Sequence, residues 1–193
     1  EDTVAKMLGV SRGPVREAFR MLDEAGLVRT EKNRGVFVRD IPLDEAIEIF
    51  ELRATMEELV GRRLAGAMTA AQQQEIATLV QAMEDAVKAA DSHAYHLLNL
   101  QFHDRLVEMA GNRKLATVYR KLVKEISLFR RLNLAGRDVL PDSAQAHWNI
   151  LKAIKSGNPD VAGRALFDHA MQSKSRTIAN DELRRGADPS SNP

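Results

Sequence analysis

Cysteine is absent from the 193 residues. This excludes a disulfide framework and thiolate metal sites, and leaves His, Asp, Glu and Asn as the available ligands. Aromatic residues amount to only 5%, against 44% hydrophobic and 28% charged residues. That balance describes a globular chain rich in amphipathic helix rather than a β-sandwich. No apolar run approaches the length that spans a bilayer. No basic segment followed by an apolar one reads as a secretory signal, so a cytoplasmic location without a membrane partner is expected. Glu1 rather than Met stands first, and a clipped start is expected. The length suits one small and one mid-sized domain, each able to close a core. Net charge is +1, yet residues 12–39 hold seven Arg or Lys against four acids. The basic excess is local, which is the feature that matters for a polyanionic partner.

Residues 1–9 read as a short helix with Val4, Ala5 and Leu8 on one side, closed by Gly9. Ser11 is placed to cap a second helix, in which Pro14 is tolerable because first-turn amides lack intrahelical partners. Val15, Ala18, Phe19 and Leu22 form its apolar stripe, and Gly26 ends it. Leu27-Val28 to Thr30, a polar tip 31–35 and Val36-Phe37-Val38 read as a β-hairpin. Asp40-Ile41-Pro42 forms a hinge, because the residue before proline is pushed out of the helical region. From Leu43 onward the pattern is helical, with breaks near 68–69, 90–91, 111–112, 136–142 and 157–159. That predicts an antiparallel bundle of about six helices. The domains expected are a partial winged helix-turn-helix over 1–40, a helical domain over 41–180 and a disordered tail over 181–193, where Arg184 to Pro193 is polar and lacks apolar periodicity.

Two short helices and a hairpin form the core of a winged helix-turn-helix, whose second helix enters the major groove of double-stranded DNA. With Val15, Phe19 and Leu22 inward, Arg12, Gly13, Arg16 and Arg20 face outward. Arg12 and Arg16, one turn apart, can fork onto guanine; Arg20, Lys32 and Arg34 are better placed for phosphates, and Ser11 can donate to one. A solvated Arg face on an amphipathic helix is the competing explanation.

The run Leu8-Gly9-Val10-Ser11-Arg12-Gly13-Pro14-Val15-Arg16-Glu17-Ala18-Phe19, with Leu22, Gly26-Leu27-Val28 and Gly35-Val36-Phe37-Val38, resembles the DNA-binding domain of the GntR family. The resemblance implies base and phosphate contacts at the start of the second helix and a minor-groove contact at the wing tip. These fall on Ser11, Arg12, Pro14, Arg16, Arg34 and Gly35. The family's first helix has no counterpart before Glu1.

In the helical region three imidazoles share apolar faces. His103 lies with Leu100, Leu106 and Val107, with Asn99 one turn earlier; His147 lies with Ala144, Ile150, Leu151 and Ile154; His169 lies with Ala162, Ala165 and Leu166. Buried imidazoles need partners. Either each makes its own hydrogen bond, or the three share a divalent cation with an oxygen from Asn99. His96 is a rival ligand on the same face as His103, His93 reads as a surface residue, and Trp148 reads as core or interface. Arg53 and Arg130 are candidates to clamp a carboxylate, with salt bridges such as Arg53 to Glu57 as the competing explanation.

Residues 43–180 also resemble the FCD ligand-binding domain of the FadR branch of the GntR family, through Leu52-Arg53 with Glu57 and Leu64-Ala65, Asn99 to His103 with Gly111-Asn112, Ser143 with His147 and Ala153-Ile154, and Ala165 with His169. The resemblance implies a metal held by Asn99, His103, His147 and His169, zinc, nickel or manganese being the ions considered. Asn99 stands where many members carry Asp, which removes one negative charge. The function expected is a homodimeric transcription regulator, a repressor, whose operator binding responds to a small organic acid that displaces metal-bound water beside Arg53 and Arg130. Leu52, Met56, Leu59 and Val60 are candidates for the subunit contact. The alternatives are a metal-dependent enzyme in a helical bundle and a pure metal sensor. A di-iron site is excluded, because no histidine has Glu three residues before it.

Overall fold

The structure, a computed structural model, describes residues 1–133 and 144–187. The chain opens with α1 (Asp2–Leu8) and α2 (Arg12–Glu24), followed by β1 (Val28–Glu31) and β2 (Gly35–Val38). Ser11 takes the N-cap position of α2 in extended conformation, but its hydroxyl makes no capping bond. Gly26 follows the helix at φ 74, a left-handed turn that a side chain would strain. The two strands pair antiparallel, Val28 opposite Val38 and Glu31 opposite Gly35. The loop is therefore Lys32–Arg34, shorter than the 31–35 tip read from the sequence. Asn33 at φ 62 and Gly35 at φ 121 supply the positive φ values that a three-residue hairpin loop needs.

Val15 is buried and Phe19 half-buried on α2, but Ala18 is exposed and Leu22 is 37% exposed. The sequence put all four on one apolar stripe, with Val15, Phe19 and Leu22 inward. The elements that pack most on α2 are α1 and β1, two short elements that leave part of the stripe open.

Six helices follow among the described residues: α3 (Leu43–Leu64), α4 (Ala70–Lys88), α5 (Ser92–Met109), α6 (Arg113–Asn133), α7 (Gln145–Lys155) and α8 (Pro159–Ala187). The break expected at 136–142 and the match at Ser143 lie outside the described residues. α3 runs against α8 along much of its length, because two glycines let the backbones meet. A Cβ on Gly61 would stand 2.4 Å from the carbonyl oxygen of Ala162, and one on Gly163 3.0 Å from that of Glu58. The main core joins Val60, Leu64, Ile76, Met83, Phe102, Leu106, Ile150 and Leu166. Each such side chain contributes about 1.5–3 kcal/mol on burial.

A second apolar cluster ties the linker to this domain. Ile41 is 1% exposed and packs with Ala46, Ile49 and Phe50 of α3 and with Ile126 and Phe129 of α6. Beside it, Arg39 donates to the Gly26 carbonyl at 3.2 Å and pairs with Glu45 and, at 3.6 Å, with the buried Glu125. The hinge is thus held by an apolar plug and by charge.

Two expectations are corrected. Val60 is fully buried and Met56 packs on the core, because α3 has α5, α6, α7 and α8 around it; only Leu52 and Leu59, 58% and 42% exposed, remain as outward apolar residues of the four. The disordered tail does not begin at 181, since α8 continues to Ala187. Thr177 and Asp181 are buried, so packing reaches at least to Asp181, which apolar periodicity does not reveal. Residues 188–193 lie outside the described residues. No helix among the described residues is long and apolar enough to cross a membrane.

Candidate metal centre and nucleic-acid interface

Helices α5, α7 and α8 each carry one imidazole into the same interior point. His103, His147 and His169 are buried, and each offers a ligand atom within 4.8 Å of the other two. The rings of His147 and His169 lie 4.6 Å apart edge to face, and those of His103 and His169 5.1 Å apart in a stack. The half-buried Asn99 joins them, its amide oxygen 2.9 Å from His147 Nε2. Both nitrogens of His103 and the Nδ1 atoms of His147 and His169 are buried without a hydrogen-bond partner among the described residues. His147 thus makes a hydrogen bond of its own to Asn99, whereas the four other buried nitrogens cost free energy unless something else binds them.

Burial lowers the pKa of His147 to about 2, with the positive forms of His169 and His103 adding to the effect. Burial likewise takes His169 down to about 3, and His103 adds to it. Both rings are neutral at physiological pH, as metal ligation requires. The donor set of three imidazoles and one amide oxygen fits a borderline divalent ion such as zinc or nickel. His93 is exposed, and the half-buried His96 is not part of this cluster.

Behind His103 stands Glu57 of α3, fully buried. Its Oε1 accepts from Arg53 Nε at 2.7 Å and from the Tyr119 hydroxyl at 2.8 Å. Its Oε2 faces His103 Nδ1 at 3.3 Å, at ion-pair rather than hydrogen-bond geometry. Burial alone would raise this carboxyl, but the charge of the adjoining Arg53 holds it below the usual carboxylate range. Arg53 is buried with its Nε on Glu57. Arg130 lies over the Phe50 ring at 5.4 Å and donates to Ser173 at 2.8 Å, one helical turn beyond His169. Sequence reading named Glu57 as a salt-bridge partner and as part of the FCD resemblance, without a place at the imidazoles, and did not single out Tyr119; the signal for both is long-range proximity, which helical periodicity does not encode. Trp148 is half-buried, and its indole donates to Glu84 at 2.9 Å.

The basic face of the N-terminal unit is exposed and paired. Arg12 contacts Asp2 at 2.5 Å, Arg16 contacts Glu1 at 3.2 Å, and Arg34 contacts Glu31 at 2.5 Å. Arg20 is held by Glu17 at 2.6 Å and by Glu24. Ser11, Pro14 and Gly35 are exposed. A groove lined by Arg12, Thr30, Lys32 and Gly35 separates the start of α2 from the wing. Exposed ion pairs exchange readily with competing anions, so these arginines can be transferred to phosphates and base edges.

A short basic helix beside a hairpin wing, joined to a helical domain with a polar interior site, defines a two-domain transcription regulator. The comparisons agree. Residues 48–172 match the FCD domain, and residues 1–38 match the "Bacterial regulatory proteins, gntR family". The chain is 31% identical to the "Probable D-xylose utilization operon transcriptional repressor" of Paenarthrobacter nicotinovorans, covering 88% of this chain and 74% of that one. It is 24% identical to the gluconate operon transcriptional repressor of Bacillus licheniformis, over 88% and 71% of the two. A GntR regulator structure from Rhodococcus sp. RHA1 shares the fold, with a TM-score of 0.75 at 23% identity over 93% and 86% of the chains. The chain belongs to the GntR family of bacterial transcription regulators, in the group that carries an FCD domain. Its relatives are regulators rather than enzymes, which sets aside the metal-dependent enzyme.

Proposed function

We propose that the chain is a FadR-branch repressor that acts in the cytoplasm as a homodimer. Its affinity for operator DNA responds to a small carboxylate bound at a divalent ion in the helical domain. The observation that carries this reading is the convergence of three buried imidazoles, four of whose ring nitrogens lack a hydrogen-bond partner among the described residues. Asn99, His103, His147 and His169 would hold the ion. When bound, the ion supplies positive charge that attracts a carboxylate and polarises it. Arg53 and Arg130 add positive charge for the remainder of the ligand. The relative named for a gluconate operon supports an organic acid as effector.

On the DNA side, Ser11, Arg12, Pro14, Arg16, Arg20, Arg34 and Gly35 form the contact surface, with Arg12 and Arg16 as the base readers. Leu52 and Leu59 contribute to the subunit contact. Because Ile41 and Arg39 fix the linker to α3 and α6, a small shift of those helices turns the reader, and the spacing of two recognition helices across a dimer changes with it.

The test is elemental analysis of the purified protein, followed by operator titration with and without gluconate, on metal-loaded and chelated samples. Close to one divalent ion per chain is expected, with a metal-dependent effect of gluconate or a related acid on operator affinity. His147→Ala with His169→Ala should abolish metal binding. An effect of the acid that persists undiminished in that metal-free variant rejects the metal as part of the receptor. Operator binding that follows the metal alone, with no response to any acid, favours the pure metal sensor.

A further inference from the structure

Glu57 is a fully buried carboxylate beside the imidazole cluster, and it is not among the expected ligands. We propose that Glu57 is the positioning residue of the metal site: its negative Oε2, facing His103 Nδ1, favours the tautomer with the proton on Nδ1 and leaves Nε2 with its lone pair for the ion. The inference rests on the metal reading above.

Three observations support it. Oε1 of Glu57 is occupied by two donors, Arg53 at 2.7 Å from the same helix and Tyr119 at 2.8 Å from α6, so the carboxylate is locked in orientation from two sides. Oε2 then has His103 Nδ1 in front of it at 3.3 Å, and neither atom has another partner among the described residues. A neutral imidazole has one N–H and one lone pair, so a proton held at Nδ1 presents Nε2 as the ligand atom. A carboxylate that served only to neutralise Arg53 would have no reason to present its second oxygen to a ring nitrogen. Carboxylates placed behind ligating histidines in this way raise ligand basicity and fix the ring. The arrangement also puts a negative charge next to the site in a chain whose fourth candidate ligand is the neutral Asn99.

The test compares wild type, Glu57→Gln and Tyr119→Phe as full chains. Zn2+ affinity is measured by competition with a chromophoric chelator, and the visible spectrum of the Co2+-substituted protein is recorded. Glu57→Gln should weaken Zn2+ binding about 10- to 100-fold and shift the Co2+ bands, since the ring of one ligand is released. Tyr119→Phe keeps the carboxylate and should retain most of the affinity. Glu57→Gln strands the charge of Arg53; if it does not fold, Arg53→Met combined with Glu57→Gln removes that charge and serves as the variant. A folded variant that binds Zn2+ as tightly as wild type, with an unchanged Co2+ spectrum, overturns the proposal while leaving the metal reading intact. Equal losses in Tyr119→Phe and Glu57→Gln overturn it too, by assigning the effect to packing around the carboxylate. Wild type that takes up no Zn2+ removes both.

Discussion

The N-terminal unit keeps its charges outside, and the helical domain keeps several of its own inside. Arg12, Arg16, Arg20 and Arg34 stand on the surface against carboxylates, where water screens each pair and a phosphate can replace the partner. Arg53, Glu57, His103, His147 and His169 are buried, where a polar group without a partner is costly. The large fully buried apolar side chains, such as Phe50, Phe102, Ile150 and Leu166, all lie in the linker and the bundle, whereas the reader buries only Ala5, Val15 and Val28. The reader is therefore built for exchange with a charged surface. The bundle encloses three imidazoles, four of whose nitrogens find no hydrogen-bond partner among the described residues.

The largest expected effect tests the interior side of this contrast. In the unfolded chain His147 and His169 titrate near about 6.5, whereas burial holds them at about 2 and about 3 in the fold. The unfolded chain therefore takes up protons first as pH falls. The stability that comes from the two neutral rings is complete above pH 6.5 and declines below it. For the metal-free protein the pair accounts for a loss of roughly 3 kcal/mol between pH 6.5 and 5, the slope approaching about 1.4 kcal/mol per unit and histidine only below the unfolded pKa. Urea unfolding at pH 7.5, 6.5, 5.5 and 5.0 measures it, and a profile without this decline contradicts the burial of neutral imidazoles. His147→Ala with His169→Ala should flatten the curve.

Next in size is one substitution made in both regions. Gly61→Ala forces a methyl to within 2.4 Å of a backbone oxygen of α8 and should cost about 1–3 kcal/mol. Gly13→Ala, in α2 with nothing within 4 Å of the added atom, should be neutral or stabilise by up to about 1 kcal/mol. Urea midpoints read both, and equal effects at the two positions would erase the packing difference between the regions.

The smallest effect on the fold belongs to the DNA surface. Arg16→Ala should leave the melting temperature unchanged while weakening operator binding by about 1–3 kcal/mol and relaxing preference at one base pair. Arg20→Ala should weaken all sequences alike. Gel shifts with a set of single-base operator variants separate the two patterns, and unchanged preference in Arg16→Ala shows that α2 is oriented differently on DNA.

Much of this architecture was legible in the chain because local rules govern it. Glycines marked the helix ends, alternation marked the hairpin, and helical spacing put His103, His147 and His169 on inward faces. What escaped depends on neighbours far along the chain. Ala18 and Leu22 belong to the apolar stripe of α2, but whether a stripe is covered is decided by other elements. Val60 resembled a surplus apolar residue until α3 proved to be surrounded by helices. The role of Glu57 required α3, α5 and α6 to meet at one carboxylate, and no single-helix pattern carries that information.

The single indole of the chain, Trp148, adjoins His147, and both tyrosines flank the same region, Tyr95 with its ring 6.3 Å from that of His147 and Tyr119 on Glu57. The N-terminal unit contains neither Trp nor Tyr. Intrinsic fluorescence and near-ultraviolet dichroism above the phenylalanine bands therefore originate in the helical domain alone. An optical titration or melt of this protein follows the site and its bundle, and the reader can unfold without any trace in the emission.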